Sequence, residues 1–210
     1  MRLYVFPVAP NPTKVRLYLA EKAAGGATID IAQVKVDFTQ REQRGAAHLA
    51  RKPFGTLPVL ELDDGSCLVE SPAIIEYQEE IHPHPAMIGR TALERARVRD
   101  LERIADVRVL LPLAQIVHAT KSPLGYAPNP AVAARFQPAL DDGLRVLDQR
   151  LSDGRAFVAG DTPSIADCTL AVALQFGRFG GMEIDPGFSS LTQWDARYRA
   201  RETAKSVLSL

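Results

Sequence analysis

Along the first eighty residues the spacing of apolar positions changes period several times. Residues 2–6 are a short apolar run closed by Pro7, the pattern of a buried strand. A proline-rich stretch, Val8-Ala9-Pro10-Asn11-Pro12, follows. From Thr13 to Ala23 the apolar Val15, Tyr18 and Leu19 recur at helical spacing, with Lys14, Arg16, Glu21 and Lys22 assigned largely to the opposite, solvent side. Gly25-Gly26 ends that helix. Ile29 to Val36 alternates with one slip and reads as a second strand, and Arg41 to Arg51 as a charged surface helix. Val59–Leu62 and Cys67–Val69 flank Asp64-Gly65, the signature of a β-hairpin. The next helix runs from Pro72 to about Glu80, with Ser71 as its expected N-cap and Pro72 at its first position.

Beyond His82-Pro83-His84-Pro85 no strand pattern recurs. Thr91 to about His118 is one long helical pattern through Leu93, Val98, Leu101, Val107 and Leu111, with a kink expected at Pro112. A loop over 122–130 precedes a helix over 131–151. Residues 163–177 are nearly all apolar, so that helix is expected to be buried on every side. A last helix from about Leu191 carries Trp194 and Tyr198. Ser164 with Asp167 forms a capping box at the start of the buried helix, a structural feature. The expected domains are 1–80, a linker over 81–90, and an all-helical 91–210.

The remaining chemistry narrows the function classes by exclusion. Twenty-five basic and twenty-five acidic residues cancel, so no net field favours nucleic acid or an anionic membrane. Cys67 and Cys168 are far apart and lack partners at ligand spacing, which argues against a disulfide framework or a metal site and suits a reducing compartment. No run reaches the roughly 18–20 apolar residues of a membrane helix. Cytoplasmic and soluble, with no nucleic-acid or membrane partner, is the expectation.

The order strand-helix-strand-helix-hairpin-helix requires a mixed sheet, since the first crossover pairs strands in parallel and the hairpin is antiparallel. That order resembles the thioredoxin arrangement. Followed by an all-α half, it resembles the cytosolic glutathione S-transferase family over essentially the whole chain: an α+β two-domain protein with a mixed four-stranded, thioredoxin-like N-terminal domain. Four segments carry the likeness: Gly55-Thr56-Leu57-Pro58-Val59-Leu60, Glu70-Ser71, Pro10 to Arg16, and Ser164 to Asp167. The resemblance implies glutathione as co-substrate, with no metal, and a homodimer. It implies a cis Leu57–Pro58 bond, with the Thr56-Leu57 backbone pairing the cysteinyl unit. Glu70 would face the γ-glutamyl ammonium, and Ser71 with its helix N-terminus the carboxylate. Lys52 reaches the glycyl carboxylate or is a solvated surface lysine. A hydrophobic electrophile would sit against Phe6, Val8, Ala9, Leu111, His118 and Phe176.

Activity in this family means ionising the glutathione thiol, at about 1.4 kcal/mol of preferential thiolate stabilisation per pKa unit. The chain departs from the family here: Ala9 stands where the resemblance expects a serine or cysteine, Tyr4 is too early in its strand, and Thr13 lies inside the helix. Asn11 remains, either as the donor to the thiol or only as the cap of its helix, whose first residue would be Pro12. Two functions follow: a transferase that conjugates glutathione or reduces a peroxide or disulfide, or a non-catalytic protein that kept the fold.

Overall fold

The computed structural model describes residues 1–38 and 40–209, and the chain divides into two compact units, Met1–Pro85 and Ala86–Leu210. Leu210, the last residue of the expected helical domain, lies outside the described residues.

In the first unit, β1 (Arg2–Val5) pairs in parallel with β2 (Ala32–Lys35), Leu3 opposite Gln33. On its other side β1 pairs antiparallel with β3 (Val59–Glu61), Leu3 opposite Leu60, and β3 pairs antiparallel with β4 (Cys67–Leu68). The sheet order is β2-β1-β3-β4. Leu3, Val59 and Leu60 are fully buried, so β1 and β3 hold the centre. Gly65 takes φ 84° in the hairpin turn, where a side chain would be strained. Among the described residues three α-helices complete the unit: α1 (Pro10–Ala24), α2 (Ala46–Arg51), and α3 (Ser71–Ile81).

Several expectations need correction here. The charged segment over 41–51 is split: a 3₁₀ turn over Glu42–Arg44, then α2, because Gly45 is extended between them. The strand expected over 29–36 is four residues long. α1 starts at Pro10 rather than Thr13, so Asn11 is not its cap; the extended Ala9 is, and its carbonyl accepts the Thr13 N–H at 3.1 Å. α3 likewise starts one residue early, making Glu70 the flanking residue and Ser71 the first helical one. Finally, Lys14, Glu21 and Lys22 are buried, not on a solvent face. Lys22 Nζ lies 2.9 Å from Glu79 Oε1 and donates to the carbonyls of His82 and Pro85. The Tyr18 hydroxyl donates to the same carboxylate at 2.9 Å. The charge is internal because its partner sits on α3.

The second unit is helical: α4 (Ala92–Arg103), α5 (Leu111–Thr120), α6 (Pro130–Leu151), α7 (Ile165–Phe179), α8 (Ser189–Arg199) and α9 (Glu202–Lys205). Between α4 and α5 the backbone stays helical but widens to a π-helix over Ile104–Leu110, with the Leu111 N–H donating to Asp106 O five residues back. A wide turn just ahead of Pro112 absorbs the missing N–H and ring of that proline. Leu93, Val107 and Leu111, read as part of one apolar stripe, are 44–60% exposed. α7 is buried at every position from Ile165 to Gly177. The Asp167 carboxylate, fully buried, accepts from the Ser164 N–H and hydroxyl, from the Val158 N–H at 2.8 Å and from the Trp194 indole at 3.3 Å. Burial pushes its pKa up to about 6 against the lowering of these four bonds. A second capping box, Thr91 with Glu94, opens α4. No helix among the described residues is long and apolar enough to cross a membrane.

Candidate functional site

The N-terminal ends of α1 and α3 meet. The Ser71 hydroxyl donates to Asn11 Oδ1 at 3.4 Å, while Tyr18 and Lys22, further along α1, contact Glu79 near the far end of α3. The two helices therefore run side by side in the same direction, and their positive dipole ends open together. Pro10 and Pro12 have no N–H, and the Thr13 N–H is bound by Ala9 O, so the first turn of α1 offers one open backbone donor, that of Asn11. The Asn11 amide adds its NH₂, because its oxygen is the atom that meets Ser71. At α3 the Ser71 and Ala73 N–H groups precede the first intrahelical bond, Ile74 N–H to Glu70 O at 2.9 Å. Asn11 is exposed, whereas Ser71 is buried, only 3% exposed.

The other hydroxyls near the first strand are already bound. Thr13 Oγ1 donates to Ala9 O at 2.8 Å. Tyr4 Oη donates to Glu61 at 2.9 Å, its ring lies under the Arg51 guanidinium at 4.4 Å, and burial together with Glu61 raises its pKa. Val8, in the loop before α1, has φ 77°, a region β-branched residues rarely enter.

The Leu57–Pro58 peptide is cis. Three side chains at four-residue spacing hold every second carbonyl of this loop: Arg44 to Phe54 O at 3.4 Å, His48 to Thr56 O at 3.0 Å, and Lys52 to Pro58 O at 3.5 Å. Thr56 is exposed and Leu57 buried. Lys52 is 2% exposed, and its ammonium also donates to Val69 O and lies 3.4 Å from Glu70 Oε1. Burial lowers its pKa, opposed by the Glu70 charge. Its placement is that of a support for Glu70, whose carboxylate is otherwise open to solvent. Neither His48 nor Arg44 was singled out in the sequence; their regular spacing with Lys52 was the available signal. Cys67 is half-buried and Cys168 buried, both as free thiols.

Of the residues expected to meet a second substrate, Phe6, Val8 and Ala9 lie in the first unit, all half-buried, with Phe6 against Phe38 at 5.0 Å between ring centroids. Leu111, His118 and Phe176 lie in the second. Leu111 and His118 are two turns apart on one face of α5. The His118 ring packs 5.8 Å from Phe176 and 5.9 Å from Tyr126, and its Nδ1 is 3.2 Å from Ser122 Oγ. Burial lowers the His118 pKa below its ordinary value. Tyr126, tilted against His118, and Phe179, stacked on Phe176, complete the aromatic group and carry no signal that the sequence pattern singles out. No cluster of three metal-ligating side chains occurs among the described residues.

Sequence models of the glutathione S-transferase N-terminal and C-terminal domains match residues 3–86 and 130–200. The chain is similar to glutathione S-transferase 2 of Saccharomyces cerevisiae, 29% identical over 214 residues that span 100% of this chain and 90% of that one. It is 30% identical over 195 residues to a maleylacetoacetate isomerase of Pseudomonas aeruginosa, covering 88% of this chain and 85% of the other. The crystal structure of Gtt2 from Saccharomyces cerevisiae matches it with a TM-score of 0.88 at 30% identity, covering 99% of this chain and 100% of that chain. With both domain models matched in order, the chain belongs to the cytosolic glutathione S-transferase family.

Proposed function

We propose that the protein binds glutathione and activates its thiol, either for conjugation to a hydrophobic electrophile or for reduction of a peroxide or disulfide. The observation that carries this reading is the meeting of Asn11 and Ser71 at two parallel helix N-termini beside Glu70. Glutathione presents an ammonium and a carboxylate at its γ-glutamyl end. Glu70, steadied by Lys52, suits the ammonium, and the Ser71 and Ala73 N–H groups suit the carboxylate, joined by the Ser71 hydroxyl once its proton turns from Asn11 Oδ1 to the ligand. The Thr56-Leu57 backbone beside Pro58 would pair with the cysteinyl unit like an added strand. The thiolate would then be met by the Asn11 N–H and NH₂ and by the dipole of α1, the arrangement that lowers thiol pKa values elsewhere. Phe6, Val8 and Ala9, beside the thiolate in the same unit, would supply apolar surface for a second substrate. Homodimerisation and a cytoplasmic location belong to the same proposal.

Ala9 favours a second reading, a binding protein that lacks turnover. Activity with chlorodinitrobenzene or a peroxide decides between them. The transferase reading expects measurable turnover and a fall of roughly tenfold to a hundredfold in kcat/KM for Asn11→Ala, the worth of a hydrogen bond to a charged group. Turnover absent in the wild type selects the binding protein, and full activity in Asn11→Ala removes Asn11 from the chemistry.

A further inference from the structure

We infer that His48 is a positioning residue of the glutathione site, one that turns the Thr56–Leu57 peptide so that the Leu57 N–H faces the ligand. The inference rests on the glutathione reading above. His48 sits on α2 and is 4% exposed, with Nε2 3.0 Å from Thr56 O. A carbonyl only accepts, so the proton is assigned to Nε2. Nδ1 is buried with no hydrogen-bond partner among the described residues. Burying an imidazole with one nitrogen unsatisfied is costly, and an apolar residue would fill the space without that cost. The hydrogen bond to Thr56 is what the histidine supplies in return.

That bond has a directional consequence. Among the described residues the cis bonds are Leu57–Pro58 and His84–Pro85; the peptide joining Thr56 to Leu57 is trans, and its C=O and N–H point in opposite directions. Fixing the Thr56 carbonyl against α2 therefore sends the Leu57 N–H away from α2. The flanking contacts of Arg44 with Phe54 O and Lys52 with Pro58 O hold the peptide from both sides. Ligand pairing then needs no rotation of this peptide on binding, a form of preorganisation.

Glutathione titrations of the wild type, His48→Leu and His48→Gln, read by calorimetry and by the Leu57 amide resonance, test this. His48→Leu is expected to raise the Kd about tenfold, about 1.4 kcal/mol, and to abolish the shift of the Leu57 amide. His48→Gln, which restores an N–H donor, is expected to recover most of both. A folded His48→Leu that binds as the wild type does overturns the inference while leaving the proposed function intact. A wild type that binds no glutathione overturns the proposed function first, before any variant is compared. Should His48→Leu fail to fold, His48→Phe, which keeps the ring's bulk without the donor, replaces it: a Kd raised about tenfold with the Leu57 shift lost supports the inference, and wild-type binding overturns it.

Discussion

Lys22→Met removes one charge from a pair that is out of contact with solvent. The Lys22 and Glu79 side chains are 0% and 1% exposed, and the ion pair is 2.9 Å long. At an effective dielectric constant of about 20 the attraction is roughly 6 kcal/mol, offset by several kcal/mol of desolvation for each ion. Removing Lys22 takes one counter-charge from the buried Glu79 carboxylate, and breaking a buried pair in this way costs about 3–5 kcal/mol. The His82 and Pro85 carbonyls lose a donor in the same step. Because this cluster aligns the far ends of α1 and α3, the variant is also expected to loosen the Asn11–Ser71 junction and weaken glutathione binding. Urea denaturation followed by far-UV circular dichroism measures the stability. The double variant Lys22→Met/Glu79→Leu should be more stable than the sum of the singles implies, by about 2 kcal/mol, the Tyr18 hydroxyl having lost an acceptor in both Glu79 backgrounds. A Lys22→Met protein within about 1 kcal/mol of the wild type, or a purely additive double variant, would rule out a stabilising coupling between Lys22 and Glu79.

Gly143→Ala gains about 1 kcal/mol of helix propensity, yet a methyl group there would overlap the Arg108 carbonyl, 2.8 Å from its carbon and 3.0 Å from Arg108 Cβ. Backbone cannot give way cheaply, so a net loss of about 1–2 kcal/mol is expected; a raised melting temperature would contradict the close approach of α6 to the π-helical segment. Ser71→Ala is expected to cost under about 0.5 kcal/mol, since Ser71 caps nothing, but to weaken glutathione roughly tenfold; the opposite pattern would make Ser71 purely structural. The His118 pKa is lowered by burial from 6.5. The unfolded chain therefore binds its proton more readily, and stability is lost as pH falls below about 6.5 toward the folded-state value. Melting at pH 7.5 and pH 5.5 should show a smaller difference for His118→Phe than for the wild type, and an unchanged difference would sink that assignment.

Patterns made by neighbours in sequence were legible: the mixed sheet, the hairpin at Asp64-Gly65, the buried α7 and the box formed by Ser164 and Asp167. The Thr91-Glu94 box carries the same three-residue spacing and could have been read as well. What was not legible depends on partners far along the chain. Lys14, Glu21 and Lys22 were assigned to solvent because charge usually means exposure, and nothing near Lys22 announces Glu79. The helix starts were misplaced because each first turn offers competing signals, two prolines around Asn11 and a serine beside a proline at Ser71. The structure puts Ala9 and Glu70 at the flanking positions instead, which frees Asn11 and Ser71 from capping. His48 escaped notice for a related reason: its acceptor is a backbone carbonyl, and backbone atoms leave no mark in a sequence.

Whether the junction of α1 and α3 beside Pro58 holds glutathione is decided by calorimetric titration of the wild-type protein with glutathione. Saturable binding of one glutathione per chain below millimolar concentration is expected, weakened by Ser71→Ala. No saturable heat at millimolar glutathione, with the protein folded, would contradict it.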